Sequence, residues 1–263
     1  MEEDDGHVVV ELDDTPRGRI GRIALSNERK RNAISPRVVR ELHRVCERLA
    51  NDDDLRVVVV SGASIKAFAD GADIRKLAGL DSETARTFIT RLHLAIDALR
   101  GLPVPVIGRL RGHCLGAGME IAAACDFRAG DTSGVIGMPE VKVGIPSVIE
   151  AMLLPGLIGW GKTRELLLTG VNASAEEALA MGFLQRLCDP GSLDAVVNTW
   201  VEDILGSGPK AVRSQKALLR KWEHLSLADG IDISLDYFAD AFKTGEPAEC
   251  MRPFVERSTR REQ

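Results

Sequence analysis

No apolar run in this 263-residue chain approaches the ~18 residues that a membrane-spanning helix needs, so a helical bilayer span is not expected. The opening MEEDDGH is acidic where a secretory signal would be basic, which makes the cytoplasm the expected location. Positive charge is not in excess either. The net charge is −5, which argues against a generic nucleic-acid surface and means that an anionic ligand needs a local basic patch. The five cysteines (Cys46, Cys114, Cys125, Cys188, Cys250) are scattered, odd in number and without metal-finger spacing. That pattern suits a reducing compartment rather than a disulfide framework. Cys46 and Cys125 fall in helix-like apolar patterns and read as core. The five histidines form no HExxH-type group, so no metal is expected.

What is present is an ordinary globular composition. Apolar residues make up 44% of the chain, enough for a sizeable core. By the prior of roughly 150 residues per domain, the length fits one large domain or one with an appendage. His7 to Leu12 and Arg19 to Leu25 read as strands around a turn. Ser35-Pro36 reads as an N-cap followed by proline at the first helical position, opening a helix to about Asn51. Leu55 to Ser61 is a continuous apolar run, the mark of a strand buried on both faces. Gly62 to Asp73 is a Gly/Ala-rich loop, followed by helices over Ile74 to Leu80 and Ser82 to Leu102 and a strand over Val104 to Gly108. The repeated order of strand, small-residue loop and helix predicts an α/β core with ligands at the loop ends. After Glu140 the pattern turns helical, over Pro146 to Leu154, Gly161 to Leu168, Ala173 to Met181, Leu193 to Leu205, Pro209 to Leu219 and Leu225 to Phe242. One short strand, Phe183 to Leu187, interrupts it. The last two helices carry more apolar surface than one monomer easily buries, which predicts an oligomer.

Within this frame the stretch from Gly112 to Glu140 stands out. The extended apolar run Pro105-Val106-Ile107-Gly108 leads into it, followed by the small residues Gly116-Ala117-Gly118 and a helix-like segment from Met119 to Cys125. Small residues where a strand gives way to a helix let a ligand atom approach the backbone. The helix N-terminus offers unpaired N–H groups and a positive dipole end. This place suits a partly negative oxygen, and Glu120 and Glu140 bracket it. Two other glycine patterns are weaker. Gly156 to Thr163 spells GxxxxGKT, but a P-loop must follow a buried strand, and the preceding Ile149–Leu154 reads as a helix ending at Pro155. A helix–helix turn capped by Thr163 is the better account. Gly116-x-Gly118 lacks the third glycine of a dinucleotide fingerprint, since position 121 is Ile.

Ile107-Gly108-Arg109-Leu110-Arg111-Gly112, Gly116-Ala117-Gly118 and Ala124-Cys125-Asp126-Phe127 resemble the signature of the crotonase superfamily, also called enoyl-CoA hydratase/isomerase. Asn32-Ala33, the run Lys66 to Ile74, Leu168-Thr169-Gly170, Ala175 to Ala178 and Phe254 to Arg257 follow in the order such proteins show, so the resemblance spans roughly Val8 to Arg257. It implies a spiral of ββα units with a C-terminal helical trimerisation region: a core over 1–200 holding the CoA site and active site, and an oligomerisation region over 201–263. It also implies a homotrimer or dimer of trimers. The oxyanion hole for a thioester carbonyl would be the backbone amides of Ala72 and Ala117. The catalytic pair would be Glu120, activating water, and Glu140, protonating Cα. The CoA handle would lie along Lys30, Arg31, Ala33, Lys66, Ala67, Ala69, Asp70, Ala72 and Ile74, with Phe254 and Arg257 reaching a neighbouring subunit's ligand.

Members that hydrate a double bond carry both glutamates, and here they stand with the family's separation of twenty residues. The expected activity is therefore hydration of an enoyl-CoA to a 3-hydroxyacyl-CoA, with coenzyme A as part of the substrate and no further cofactor. Double-bond isomerisation, carbon–carbon cleavage or hydrolysis, and a non-catalytic CoA- or RNA-binding role are the alternatives. One departure is plain. Where many hydratases continue with a glycine-rich turn, this chain reads Gly144-Ile145-Pro146-Ser147-Val148-Ile149-Glu150. That stretch should shape the acyl pocket, and Glu150 is either a third acid or a charge at a helix N-terminus.

Overall fold

The structure, a computed structural model, describes residues 5–261; the side chains of Glu28, Phe254 and residues 257–261 lie outside what it describes. The chain opens with an antiparallel hairpin, β1 (His7–Thr15) and β2 (Gly18–Ser26), in which Thr15 faces Gly18. Helix α1 (Pro36–Ala50) follows, capped as its sequence predicts: the Ser35 hydroxyl accepts from the Val38 amide at 3.2 Å. Its apolar stripe of Val38, Val39, Leu42, Cys46 and Leu49 is buried.

From there the chain winds. Strand β3 (Leu55–Gly62) is followed by β4 (Ala67–Asp70), α2 (Ile74–Leu77) and α3 (Ser82–Arg100). Then come β5 (Val106–Leu110), β6 (His113–Leu115) and α4 (Ala117–Ala123), and after them β7 (Phe127–Asp131) and β8 (Val135–Gly137). Two further short strands occur later, β9 (Asn172–Ser174) and β10 (Arg186–Cys188). The pairs β3/β4, β5/β6 and β7/β8 each put their first strand into a six-stranded sheet ordered β1-β2-β3-β5-β7-β10 and their second into a four-stranded sheet ordered β4-β6-β8-β9, while β9 and β10 join the two sheets in the reverse order. That alternation is the spiral of ββα turns. The core lies between α1, α3 and the large sheet, with β4 and α4 inside it.

The remaining helices are α5 (Leu154–Thr169), α6 (Ala175–Ala180), α7 (Leu193–Leu205), α8 (Pro209–Trp222), α9 (Leu227–Ala241) and α10 (Glu246–Arg261). Several boundaries differ from expectation. Pro155 sits in the first turn of α5 rather than ending a helix, because a proline's missing N–H costs nothing there. The expected helix over Pro146 to Leu154 is only a 3₁₀ turn, Ile149–Leu153. The GxxxxGKT segment lies within α5, which breaks at Gly159 (φ 73°, ψ 160°), and the Thr163 hydroxyl donates to the Gly159 carbonyl at 2.8 Å across the break. The 3₁₀ turn, not a strand, leads into it. Among the described residues no helix is long and apolar enough to cross a membrane.

Candidate functional site

The site is built where three successive turns of the spiral meet. Gly116 makes it possible. Its backbone (φ 49°, ψ −123°) turns the chain from β6 into α4, a left-handed φ that favours glycine. A Cβ there would also collide with the Glu140 carboxylate, so the glycine lets that carboxylate lie against the start of α4. Gly118 has a different duty: a Cβ on it would strike the Ala69 carbonyl, so its bareness lets α4 pack onto β4.

Two backbone amides lie outside the hydrogen bonds of the elements around them. Ala117 is the first residue of α4, and the first helical bond runs from Glu120 N–H to the Gly116 carbonyl at 3.0 Å, so the Ala117 N–H lies among the first-turn donors with no acceptor inside the helix. Ala72 forms a parallel bridge with Ile34. That bridge uses the Gly71 carbonyl, accepting from Ile34 N–H at 2.8 Å, and the Asp73 N–H, donating to the Ile34 carbonyl at 3.1 Å. The Ala72 N–H between them therefore points to the opposite side of the strand.

Both alanines line a cavity of about 590 Å³. Glu120 and Glu140 line the same cavity, so the two acids that the sequence singled out converge rather than lying on separate faces. The remaining wall is chiefly apolar, with Leu77, Phe88, Ile89, Leu92, Ile145 and Val148 among its residues. Glu120 is 5% exposed, and one of its oxygens accepts from the Ala151 amide at 3.2 Å. Burial, with the Glu140 charge as a second cause, pushes its carboxyl up to about 8. A carboxylate taken out of water beside a like charge holds its proton more tightly, and one hydrogen-bond donor offsets this only in part. Glu140 accepts from the Ser147 hydroxyl at 2.7 Å.

The predicted CoA-handle residues divide into groups. Asp70, Ala72 and Ile74 line the cavity. Asp70 is paired with the Arg31 guanidinium at 2.9 Å and lies 3.1 Å from His113 Nδ1. The Lys30 ammonium is held by Asp73, the N-cap of α2, at 2.8 Å. Ala33, Ala67 and Ala69 are buried outside the cavity wall. Asn32 adopts a left-handed φ of 56°, and its side-chain amide donates to the Ala67 carbonyl at 2.8 Å, which ties the 27–33 loop to β4. Lys66 is exposed beside that loop. The predicted roles of Phe254 and Arg257 rest on side chains outside the described residues.

Sequence reasoning missed Ser147 and the Ala151 amide, which hold the two acids. Ser147 had no signal beyond lying in the stretch that departs from the usual glycine-rich turn, and Ala151, just past that stretch, had none. Glu150, the possible third acid, is 7% exposed and is paired with His93 Nδ1 at 2.7 Å. Among the described residues no group of three or more His, Cys, Asp or Glu side chains is arranged to hold a metal.

The chain is similar to known proteins over most of its length. Residues 16–261 match the family model described as enoyl-CoA hydratase/isomerase. A short-chain-enoyl-CoA hydratase of Clostridium acetobutylicum is 27% identical over 241 residues, covering 91% of this chain and 92% of its own. A crotonyl-CoA hydratase of Syntrophomonas wolfei is 30% identical over 227 residues, covering 86% and 87%. The crystal structure of an enoyl-CoA hydratase from Bacillus anthracis superposes with a TM-score of 0.89 at 29% identity, over 94% of this chain and 96% of that one.

Proposed function

This chain belongs to the enoyl-CoA hydratase/isomerase family, and on that premise we propose that it adds water across the α,β-double bond of an enoyl-CoA thioester to give a 3-hydroxyacyl-CoA. The observation that carries the reading is the convergence of Glu120 and Glu140 on one cavity that Ala72 and Ala117 also line.

The thioester oxygen sits between the amides of those two alanines, which stabilise it as electron density moves onto it. Each such donor contributes about 10²–10³ in rate. The polarised system makes Cβ electrophilic. A water held by the two acids gives its oxygen to Cβ and a proton to one carboxylate, while the other carboxyl gives its proton to Cα. The resemblance assigns water activation to Glu120 and proton donation to Glu140. Either way the pair begins and ends the reaction with one proton between its members. The high proton affinity of Glu120 keeps one proton on the pair through neutral pH, and for Glu120 to activate water that proton must first pass to Glu140. The chemistry balances without a metal or redox cofactor, coenzyme A being part of the substrate.

Lys66, Lys30 and Arg31 supply the basic patch for the CoA phosphates at the mouth, with Phe254 and Arg257 completing it from a neighbouring subunit. The assembly is a homotrimer or dimer of trimers, built through the region 201–263 on the core 1–200. The exposed Leu227, Ile231, Leu235 and Phe238 of α9 support this. A cytoplasmic location fits the five free cysteines. The test is loss of the enoyl absorbance of an enoyl-CoA on mixing with enzyme. Glu120→Gln and Glu140→Gln are each expected to lower turnover about 10²–10⁴-fold. Variants that keep full rate would remove the pair from the mechanism.

A further inference from the structure

The 3₁₀ turn Ile149–Leu153 is held in an expensive conformation. Ile149 has φ +43°, a left-handed value that a β-branched side chain rarely adopts. The next residue, Glu150, is 7% exposed, and its Oε2 is buried with no hydrogen-bond partner among the described residues. Its Oε1 is 2.7 Å from Nδ1 of His93 on α3. The residue after that, Ala151, donates its amide to Glu120 at 3.2 Å. Strain, a buried charge and an unpartnered oxygen occur in two adjacent residues, and the surroundings must over-determine such a turn for it to persist. What the turn delivers is one amide, aimed at Glu120.

We propose that Glu150, clamped by His93, is a positioning residue for the catalytic pair: it fixes the Ile149–Leu153 turn so that the Ala151 amide meets Glu120, and it places a third negative charge beside that carboxyl. The inference rests on the proposed hydratase reading and deepens it. Three side chains act in series: His93 on α3 holds Glu150, Glu150 holds the turn, and the turn holds Glu120. The charged groups in play are few. Glu120 is faced by Glu140 and Glu150. Glu150 is faced by His93 and Asp97, and Asp97 is itself bound to Arg220 of α8 at 3.2 Å.

The clamp and the charge separate by substitution. Glu150→Gln keeps an oxygen that can accept from His93 but removes the charge. Turnover should stay within about threefold of wild type, while the alkaline limb of the kcat/KM profile moves to lower pH, because a like charge beside Glu120 has gone. Glu150→Ala and His93→Ala release the turn. Each should lower kcat about 10–100-fold with KM for the enoyl-CoA within about twofold, since the loss falls on the reacting geometry rather than on uniform binding. A merely structural role would lower the melting temperature and the active fraction, and leave the pH limb where it was. That result overturns the proposal, as does a Glu150→Ala enzyme with wild-type kcat.

A readout independent of turnover is the infrared band of a protonated buried carboxyl, assigned by its loss in Glu120→Gln and titrated in wild type and Glu150→Gln. A lower midpoint in Glu150→Gln supports the inference even if wild type hydrates no enoyl-CoA, in which case only the hydratase reading fails. An unmoved midpoint overturns the inference while leaving that reading intact.

Discussion

Glu120 is a costly residue to keep. Its folded-state proton affinity lies well above that of an unfolded carboxyl, with burial as the main cause. The native state therefore binds a proton that the unfolded chain has already lost at neutral pH. Stability attributable to this group is full below the ordinary carboxylate range, falls as pH rises toward about 8, and stays low above it. Glu120→Gln should then raise the melting temperature most at alkaline pH, by an amount worth several kcal/mol, while lowering turnover about 10²–10⁴-fold. Calorimetry at about pH 5 and about pH 9, on either side of the transition, checks it; equal shifts at both values would rule out burial of a titrating carboxyl as the cause. On the proposed mechanism the same proton governs activity. The kcat/KM of the wild-type enzyme should decline through about pH 8 as the pair loses its last proton, which a stopped assay on both sides of that value would read. Gly116 is the neighbouring constraint. Gly116→Ala meets both a left-handed φ and the Glu140 carboxylate, and should lower kcat by about tenfold or more, measured on folded protein.

At the scale of elements, helix α4 is seven residues long and buried throughout, so little of its own propensity holds it. What holds it is the close fit onto β4 that Gly118 allows. Gly118→Ala should push α4 off the Ala69 carbonyl and destabilise the fold by about 1–3 kcal/mol in denaturant titration, despite alanine's better helix propensity. The same local chemistry explains what could be read from sequence. The Ser35-Pro36 cap, the apolar face of α1 and the four-valine strand β3 carry strong local signals and lie where expected. The acids and the small-residue triplet are legible because their chemistry demands those residue types. Strands β4, β6 and β8 are not. They are three or four residues long, too short to show alternation, and β4 lies in a Gly/Ala stretch that reads as loop. Pro155 reads as a stop because proline marks both ends of helices, and only tertiary context separates them. Ser147 and the Ala151 amide reach the acids through folding of a 3₁₀ turn, which no local periodicity announces.

At the scale of the molecule, α9 presents Leu227, Ile231, Leu235 and Phe238 to solvent at spacings of three and four residues, a continuous apolar stripe on an otherwise charged helical region. Buried against a second copy, such a stripe would account for the proposed trimer. Leu235→Glu combined with Phe238→Glu should shift the sedimentation coefficient to that of a monomer, whereas an unchanged assembly would move the interface elsewhere.

The winding order of the sheets has a consequence for how the protein is made. The amide of Ala72 belongs to the first ββα turn, Ala117 and Glu120 to the second, and Glu140 with its Ser147 and Ala151 supports to the third. A nascent chain emerging from the ribosome thus exposes an unfinished pocket until residue 151 is out, and only then does the buried acid gain the donor that steadies it. On the proposed reading, competence toward a thioester waits until just past the midpoint of the chain, with β9, β10 and helices α5 to α10 still to be made.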